Sequence, residues 1–480
     1  MDSDSAAPTV PWYSAGSEPS PARGTDVPQE PELESRTLAG RRDLLALAAA
    51  RPDRYPGLLE SAADGTAQAR YDMLLAFPQS TLQLDADGRV RNGEGVELPG
   101  TFLDAFDAAW QACARARTAP DGLPFHGGWL LYLGYELAGE VEPRLDLRMG
   151  GHGLPVAMAW RCPAGVIVDH VADRTHLFAE AGHAHLLAEL ESDLAAAKLP
   201  SEPAIPAVQV REDDPHGFLE GVERTREYLR AGDVFQVNLS REWRLSLDAP
   251  VAPAVIYASL RRSNPAPFSG LLQWRDWAIA SSSPERLVQT CGNVVQTRPI
   301  AGTRPRIEGD DAAARIRELV GHPKERAEHV MLIDLERNDL GRICVPGSIE
   351  VDELMVVESY AHVHHIVSNV RGRLRGGTTP GQTIRAVFPG GTITGCPKVR
   401  CMEIIAELEQ APRGCYTGAF GYVDNNGDLD LNILIRTLEI IGDQVSLRAG
   451  AGIVIDSNAE AELAETRAKA LGLLRAFGAG

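Results

Sequence analysis

The sequence predicts an α+β fold, with strands joined in hairpins and helices inserted between them, not a doubly wound parallel sheet. Two observations carry this. After Gly414 the chain reads as a β-meander: a strand at Cys415–Val423, a turn at Asp424-Asn425-Asn426-Gly427, a strand at Leu429–Ile441, a turn at Gly442-Asp443, then Gln444–Ile455. Helices stand singly among the strands. The clearest opens at Asp214-Pro215, an N-cap with proline in the first turn, and closes at Gly232. No internal repeat is visible.

Taken in order, residues 1–38 are rich in Ser, Pro, Glu and Ala without periodicity, the composition of a disordered tail. Residues 39–200 mix helix (Asp43–Ala50, Leu103–Arg117) and strand (Tyr71–Phe77), with an apolar stretch Trp129–Leu137 opened by Gly127-Gly128. Ser201–Arg211, interrupted by Pro203 and Pro206, reads as a linker. Residues 213–477 form a second region. Its first helix carries Phe218, Val222, Thr225 and Leu229 on one face, and strand Val234–Leu245 follows. Further helices are expected over Lys324–Leu340, from Lys398 to about Leu408, and over Asn458–Phe477, with a strand at Ala361–Val367.

Composition narrows the function classes. The net charge is −19, which argues against nucleic acid or an anionic membrane surface as partner. An anionic small molecule stays open, because a site needs only two or three local cations. No apolar run reaches the roughly 18–20 residues of a membrane span. No secretory signal opens the sequence. Seven cysteines without a Cys-x-x-Cys pair read as reduced structural thiols, so a cytoplasmic location is expected.

Several constellations could carry chemistry. Glu462, Glu465 and Lys469 lie on one helix face, within about 60° at 100° per residue. Two carboxylates so placed suit a hard divalent cation, and equally suit a solvated face with a Glu–Lys pair. Glu325 and Glu328 repeat the i,i+3 spacing on another helix. His362 and His364 share one strand face, while His365 points the other way. The triplet suits a single general acid–base or core histidine better than a zinc site. Gly390-Gly391-Thr392-Ile393-Thr394-Gly395 could be an anion loop or a packing turn, and its spacing is not that of a P-loop. Gly450-Ala451-Gly452 would allow close backbone approach.

Four runs, PIAGTRPR (Pro299–Arg306), PKERAEHVMLIDLERNDLGR (Pro323–Arg342), FPGGTITGCPKVRCMEIIAELE (Phe388–Glu409) and RAGAGIVIDS (Arg448–Ser457), resemble the chorismate-utilising enzymes. That family includes the large components of anthranilate and aminodeoxychorismate synthases and the isochorismate and salicylate synthases. The resemblance implies an interlayered α/β sandwich of two large, mostly antiparallel sheets with helices outside. It implies chorismate as substrate and Mg²⁺ as cofactor, with Glu328, Glu462 and Glu465 as metal ligands. Tyr416, Arg436, Lys469 and the amides of Gly450 and Gly452 would bind the substrate carboxylates. Glu285 would be the general acid, His365 its assistant, and Thr303 and Thr392 would line the ring pocket.

Within the family, Gln236 stands where the isochorismate and salicylate branches resemble one another in carrying a lysine that activates water. Glutamine cannot be that base, but it can hydrogen-bond ammonia. The chain contains no amidotransferase cysteine motif, so ammonia is expected from a separate glutamine amidotransferase subunit. Ala301 resembles the anthranilate branch. Asn264-Pro265-Ala266-Pro267-Phe268-Ser269, Gly390-Gly391 and Ala361–His365 resemble the aminodeoxychorismate branch, many members of which carry a nucleophilic lysine in place of Ala301. The balance implies aminodeoxychorismate formation for 4-aminobenzoate and folate synthesis, through a noncovalent 2-amino-2-deoxyisochorismate. Leu58-Leu59-Glu60-Ser61 resembles the tryptophan-binding segment of feedback-inhibited relatives. Leu59, Glu60 and Ser61 are therefore a candidate tryptophan site, although the run also suits a helix end.

Overall fold

The computed structural model describes residues 33–62, 70–116, 122–150, 153–199, 205, 208–305, 317, 323–359 and 363–478. Among them are two twelve-stranded sheets in which neighbouring strands pair antiparallel. Each sheet is built from two contiguous blocks, one from the N-terminal and one from the C-terminal region. They join where Gly57–Glu60 pairs with Phe268–Trp274 in the first sheet and Gly128–Leu133 with Ala419–Asp424 in the second, so both sheets run through both regions.

An aromatic-rich core fills the space between the sheets. Trp277, Ile279 and Leu272 of the first sheet meet Trp160, Tyr132 and Phe420 of the second. Helices cover the outer faces: Leu45–Ala50, His185–Ala196 and Pro253–Ser263 on the first sheet, Phe102–Cys113 on the second. This is the sandwich the resemblance implied.

Local signals place several elements closely. The helix Pro215–Ala231 is capped by the Asp214 side chain, which accepts from His216 N, and ends at left-handed Gly232. The terminal helix Ala459–Leu474 is capped by Asn458 and runs on as a 3₁₀ turn, Arg475–Phe477. All seven cysteines are free thiols.

Three expectations change. The tail expected over 1–38 yields its last part to an edge strand, Leu33–Ala39, whose ladder to Arg174–Glu180 supplies the partners a composition argument cannot see; residues 1–32 lie outside the described residues. The linker over Ser201–Arg211 ends in strand Val208–Glu212, paired with Trp243–Leu247. The single strand read over Leu429–Ile441 is two strands. Leu429–Ile433 belongs to the second sheet and Thr437–Ile441 to the first, because the chain crosses between the sheets at Leu434–Arg436. The segment alternates apolar and polar residues on either side of Leu434–Arg436, as strands do, and that pattern cannot report which sheet accepts each part.

Candidate active site

Two such crossings, side by side, build the site. Trp277–Ser283 runs in the first sheet and Arg286–Cys291 in the second, with Pro284-Glu285 between them. Proline has no N–H to continue a ladder. Ile433 N donates to the Glu285 carbonyl at 3.0 Å and Ser282 N to the Arg436 carbonyl at 3.1 Å. The Ser283 hydroxyl donates to the Ile433 carbonyl at 2.6 Å. Arg436 holds φ at 52°, a left-handed conformation that costs a non-glycine residue about 1–3 kcal/mol. The surrounding bonds thus deliver Glu285 and Arg436 into the gap between the sheets.

The resulting cleft is lined by Glu285, His365, Thr392, Tyr416, Arg436 and Lys469, together with Gly450. Glu285 is 5 % exposed. Its carboxyl is pushed up to about 7, chiefly by burial, against opposing pulls from Thr392, the Ile300 amide and the Arg436 charge. Thr392 Oγ1 makes no well-formed hydrogen bond among the described residues, so the amide and the guanidinium are the firmer of these.

Arg436 is buried, and burial pushes its pKa down against the attraction of Glu285. Among the described residues no side-chain hydrogen bond or ion pair holds its guanidinium. His365 is pushed down to about 4 by burial and by Arg436, with a backbone hydrogen bond at Gly302 opposing, so the imidazole is neutral near pH 7. Burial raises the Tyr416 phenol to about 12, keeping it a hydrogen-bond donor. A Cβ at Gly450 would lie 2.6 Å from both the Tyr416 hydroxyl and the Leu239 carbonyl, so only glycine permits this approach.

The remaining predicted residues sit around this centre. Gln236 is buried on strand Gln236–Leu247; its Nε2 donates to Glu328 Oε1 at 2.9 Å, and its Oε1 has no partner among the described residues. A Cβ on Gly452 would collide with that same amide. Lys469 marks the rim: its side chain is 41 % exposed, and Nζ reaches the Gly450 carbonyl at 2.8 Å and Glu465 at 2.7 Å. Ala301 is buried on the strand Ile300–Pro305 and does not line the cleft, whereas its neighbour Ile300 does. The strand pairs Thr303 with His365 across a bulge; the Thr303 side chain and His362 lie outside the described residues. His364 faces away from the cleft and shares a hydrogen bond with Ser359 Oγ at 2.7 Å, as period-two alternation requires.

The glycine-rich run does not form a helix-terminated anion loop. A Cβ on Gly391 would strike Leu335, and the Lys398 ammonium is spent on Asp339 and the Val387 carbonyl. Packing places Thr392 in the cleft wall.

Glu328 and the pair Glu462 and Glu465 lie on two helices; Glu328 accepts from Gln236, and Glu465 pairs with Lys469, which lines the cleft. Among the described residues no three acidic, histidine or cysteine side chains converge tightly enough to hold a metal ion unaided. The donor set is nevertheless all hard oxygen, which fits Mg²⁺, an ion that keeps waters and shares its shell with substrate oxygens.

A separate cavity is lined by Leu59, Glu60 and Ser61 with Met73, Phe268 and Arg286. The segment is a strand, Gly57–Glu60, not a helix end. Ser61 Oγ is buried there without a partner among the described residues, and Glu60 is held by Tyr257 at 2.7 Å and Arg261 at 2.9 Å.

Two polar lining residues escaped the sequence reading, Asn238 and Arg448. Asn238 lies two residues after Gln236 on the same strand face, the one signal that could have found it. Arg448 sits on a strand buried on both sides, where alternation carries no information.

The family sequence model described as chorismate binding enzyme matches residues 62–475. An anthranilate synthase component I-like protein of Synechocystis is 42 % identical over 368 residues, 75 % of each chain. The aminodeoxychorismate synthase component 1 of Bacillus subtilis is 40 % identical over 448 residues, 89 % of this chain and 93 % of the relative. The crystal structure of anthranilate synthase component I from Streptococcus pneumoniae superposes with a TM-score of 0.75 at 31 % identity, covering 85 % of this chain and 93 % of that one. A cleft pairing a raised carboxyl with a buried guanidinium, on this fold and in this company, makes the chain a member of the chorismate binding enzyme family, a synthase acting on chorismate.

Proposed function

We propose that the chain is the chorismate-binding large component of an aminodeoxychorismate synthase, fed with ammonia by a separate glutamine amidotransferase subunit. One observation carries the ammonia reading: the Gln236 amide commits its nitrogen to Glu328 and keeps a buried oxygen without a partner among the described residues. A neutral amide cannot take a proton from water, but its oxygen can accept from ammonia. Asn238 Oδ1, equally without a partner among the described residues, lines the cleft two residues along the same strand and adds a second acceptor.

In this reading Arg436 and Tyr416 hold the substrate's carboxylates. Ammonia adds at C2, the two ring double bonds shift, and the C4–O bond breaks. Glu285 donates the proton that lets the hydroxyl leave as water, and neutral His365 orients the ring substituents. A second ammonia adds at C4, the double bonds shift back, and the C2 amine leaves. Mg²⁺ held by Glu328, Glu462 and Glu465 would neutralise substrate carboxylate charge. With alanine at 301 no lysine is offered for covalent attack.

Incubation with chorismate, Mg²⁺ and ammonia is expected to yield 4-aminobenzoate only after an aminodeoxychorismate lyase is added. Anthranilate formed without the lyase would establish the other amination instead. Mass spectrometry of quenched turnovers should find no covalent chorismate adduct on the protein.

The Ser61 cavity is proposed to hold tryptophan, its indole against Met73 and Phe268 and its ammonium near Glu60. Titration calorimetry should show heat of binding, with affinity lowered about 5- to 10-fold in Ser61→Ala, one hydrogen bond's worth. Absence of any heat removes this assignment.

A further inference from the structure

Beneath the cleft lies a buried ion cluster that none of the roles above uses. The side chain of Glu409, at the end of helix Lys398–Glu409, is 4 % exposed and in contact with two arginines. Arg413 donates from Nη2 to Glu409 Oε1 at 2.6 Å and from Nε to Oε2 at 3.0 Å. Arg448 donates from Nη2 to Oε2 at 3.1 Å. Ser240 donates to Oε1 from both its amide, at 2.8 Å, and its hydroxyl, at 3.0 Å. The guanidiniums hold the carboxyl's pKa below its ordinary value against the effect of burial, so Glu409 stays charged.

The two arginines do different things. Arg413 is consumed by structure: it also donates to the carbonyls of Asn238 at 2.7 Å and Ile393 at 3.3 Å and to the Thr417 hydroxyl at 3.2 Å, and its guanidinium lies 5.5 Å from the Tyr416 ring centre. Arg448 is only partly spent. Its Nε and Nη2 reach the Ser240 hydroxyl, both at 3.1 Å, and Nη2 also reaches Glu409. Nη1 makes no hydrogen bond among the described residues. Arg448 is 7 % exposed and lines the cleft beside Tyr416 and Gly450.

Charge points the same way. Two guanidiniums share the Glu409 carboxylate in a poorly solvated place; the nearby Glu136 feels Arg448 but is pushed up to about 7, chiefly by burial, so it offsets the second charge only in part. An unbalanced buried charge is costly unless a partner arrives. Arg436 provides a second such cation, next to Glu285 and His365. The Tyr416 phenol, by contrast, feels Arg413, Glu409 and Arg448. The cleft therefore holds two cationic subsites with different neighbours, and chorismate carries two carboxylates.

We propose that Arg448 is a further substrate-binding residue that holds one of the two carboxylates through Nη1, and that Glu409 and Ser240 are positioning residues that fix its guanidinium. The proposal rests on chorismate as substrate and holds for either amination product. The test follows chorismate consumption, so its failure is distinct from a failure to form aminodeoxychorismate.

Steady-state kinetics of the full chain with ammonia should show KM for chorismate raised about 10- to 100-fold in Arg448→Met with kcat changed less than about threefold, the mark of uniform binding lost. Arg448→Lys should recover part of the loss. Ser240→Ala, a small change that leaves every charge in place, should raise KM about three- to fivefold. Inhibition by benzoate, a monocarboxylate that Arg436 can hold, should be nearly unchanged in Arg448→Met. A KM within twofold of the parent in both Arg448→Met and Ser240→Ala overturns the proposal. So does an equal loss of chorismate and benzoate binding, which would mark general collapse of the cleft.

Discussion

Glu285→Gln is expected to lower kcat by about 10²- to 10⁴-fold, the usual worth of a general acid. Glutamine keeps the shape and the backbone contacts but has no proton to give. The pH dependence supplies the sign. Burial pushes the carboxyl up to about 7, so below that pH the free enzyme holds the proton and the acid is competent. As pH rises through about 7 the proton is lost, and kcat/KM should fall tenfold per unit above it. In Glu285→Gln the residual activity should lack this limb. A parent profile flat from pH 6 to 9, measured at constant free ammonia, would remove the general-acid role. His365, pushed down to about 4, is neutral throughout that window and cannot supply the limb.

Arg436→Met is expected to lower kcat/KM for chorismate by about 10²- to 10⁴-fold, because a bidentate charged contact is worth roughly 3–6 kcal/mol. The same substitution should raise the thermal midpoint of the ligand-free protein. The guanidinium is buried without an ion-pair partner among the described residues, and burial depresses its pKa. Replacing such a charge by an apolar side chain of similar length removes a desolvation cost. The strained φ of 52° remains in both proteins, so it does not enter the difference. Loss of activity together with a lower midpoint would mean the cation serves the fold instead of the substrate. Thermal unfolding followed by circular dichroism, beside the kinetics, separates the two.

Much of this site was legible because its chemistry sits on motifs with local signatures. Asp214-Pro215 and Gly232 bound a helix almost to the residue, and the caps at Asn458 and Gly232 are formed by the side chain and the left-handed turn their types favour. The Glu462, Glu465 and Lys469 face follows from helical period alone. The opposite orientations of His364 and His365 follow from strand period, and the structure keeps them: His365 in the cleft, His364 on Ser359. Glu285 and Arg436 came from resemblance to a family, not from any pattern of their own.

What local rules could not reach is where the chain changes sheet. Leu429–Ile441 has strand-like alternation in both halves, and both halves are buried strands. Its break at Leu434–Arg436 exists because each half finds a different ladder, one beside Ala419–Asp424 and the other beside Trp277–Ser283. The neighbouring crossing at Pro284-Glu285 lies across a long stretch of sequence, and only hydrogen bonds between the two crossings bring the acid and the guanidinium together. The same holds for Arg448 and Glu409, and for the edge strand Leu33–Ala39, whose partners are remote in sequence. Residue type and periodicity named the Asp214 cap and the helix faces, and the resemblance of four contiguous runs named the family and most of the reacting groups, since all of these are written in neighbours a few positions away. The pKa values, the unspent donors and the two cationic subsites depend on burial and on long-range pairing, which arise only when both sheets close over the cleft.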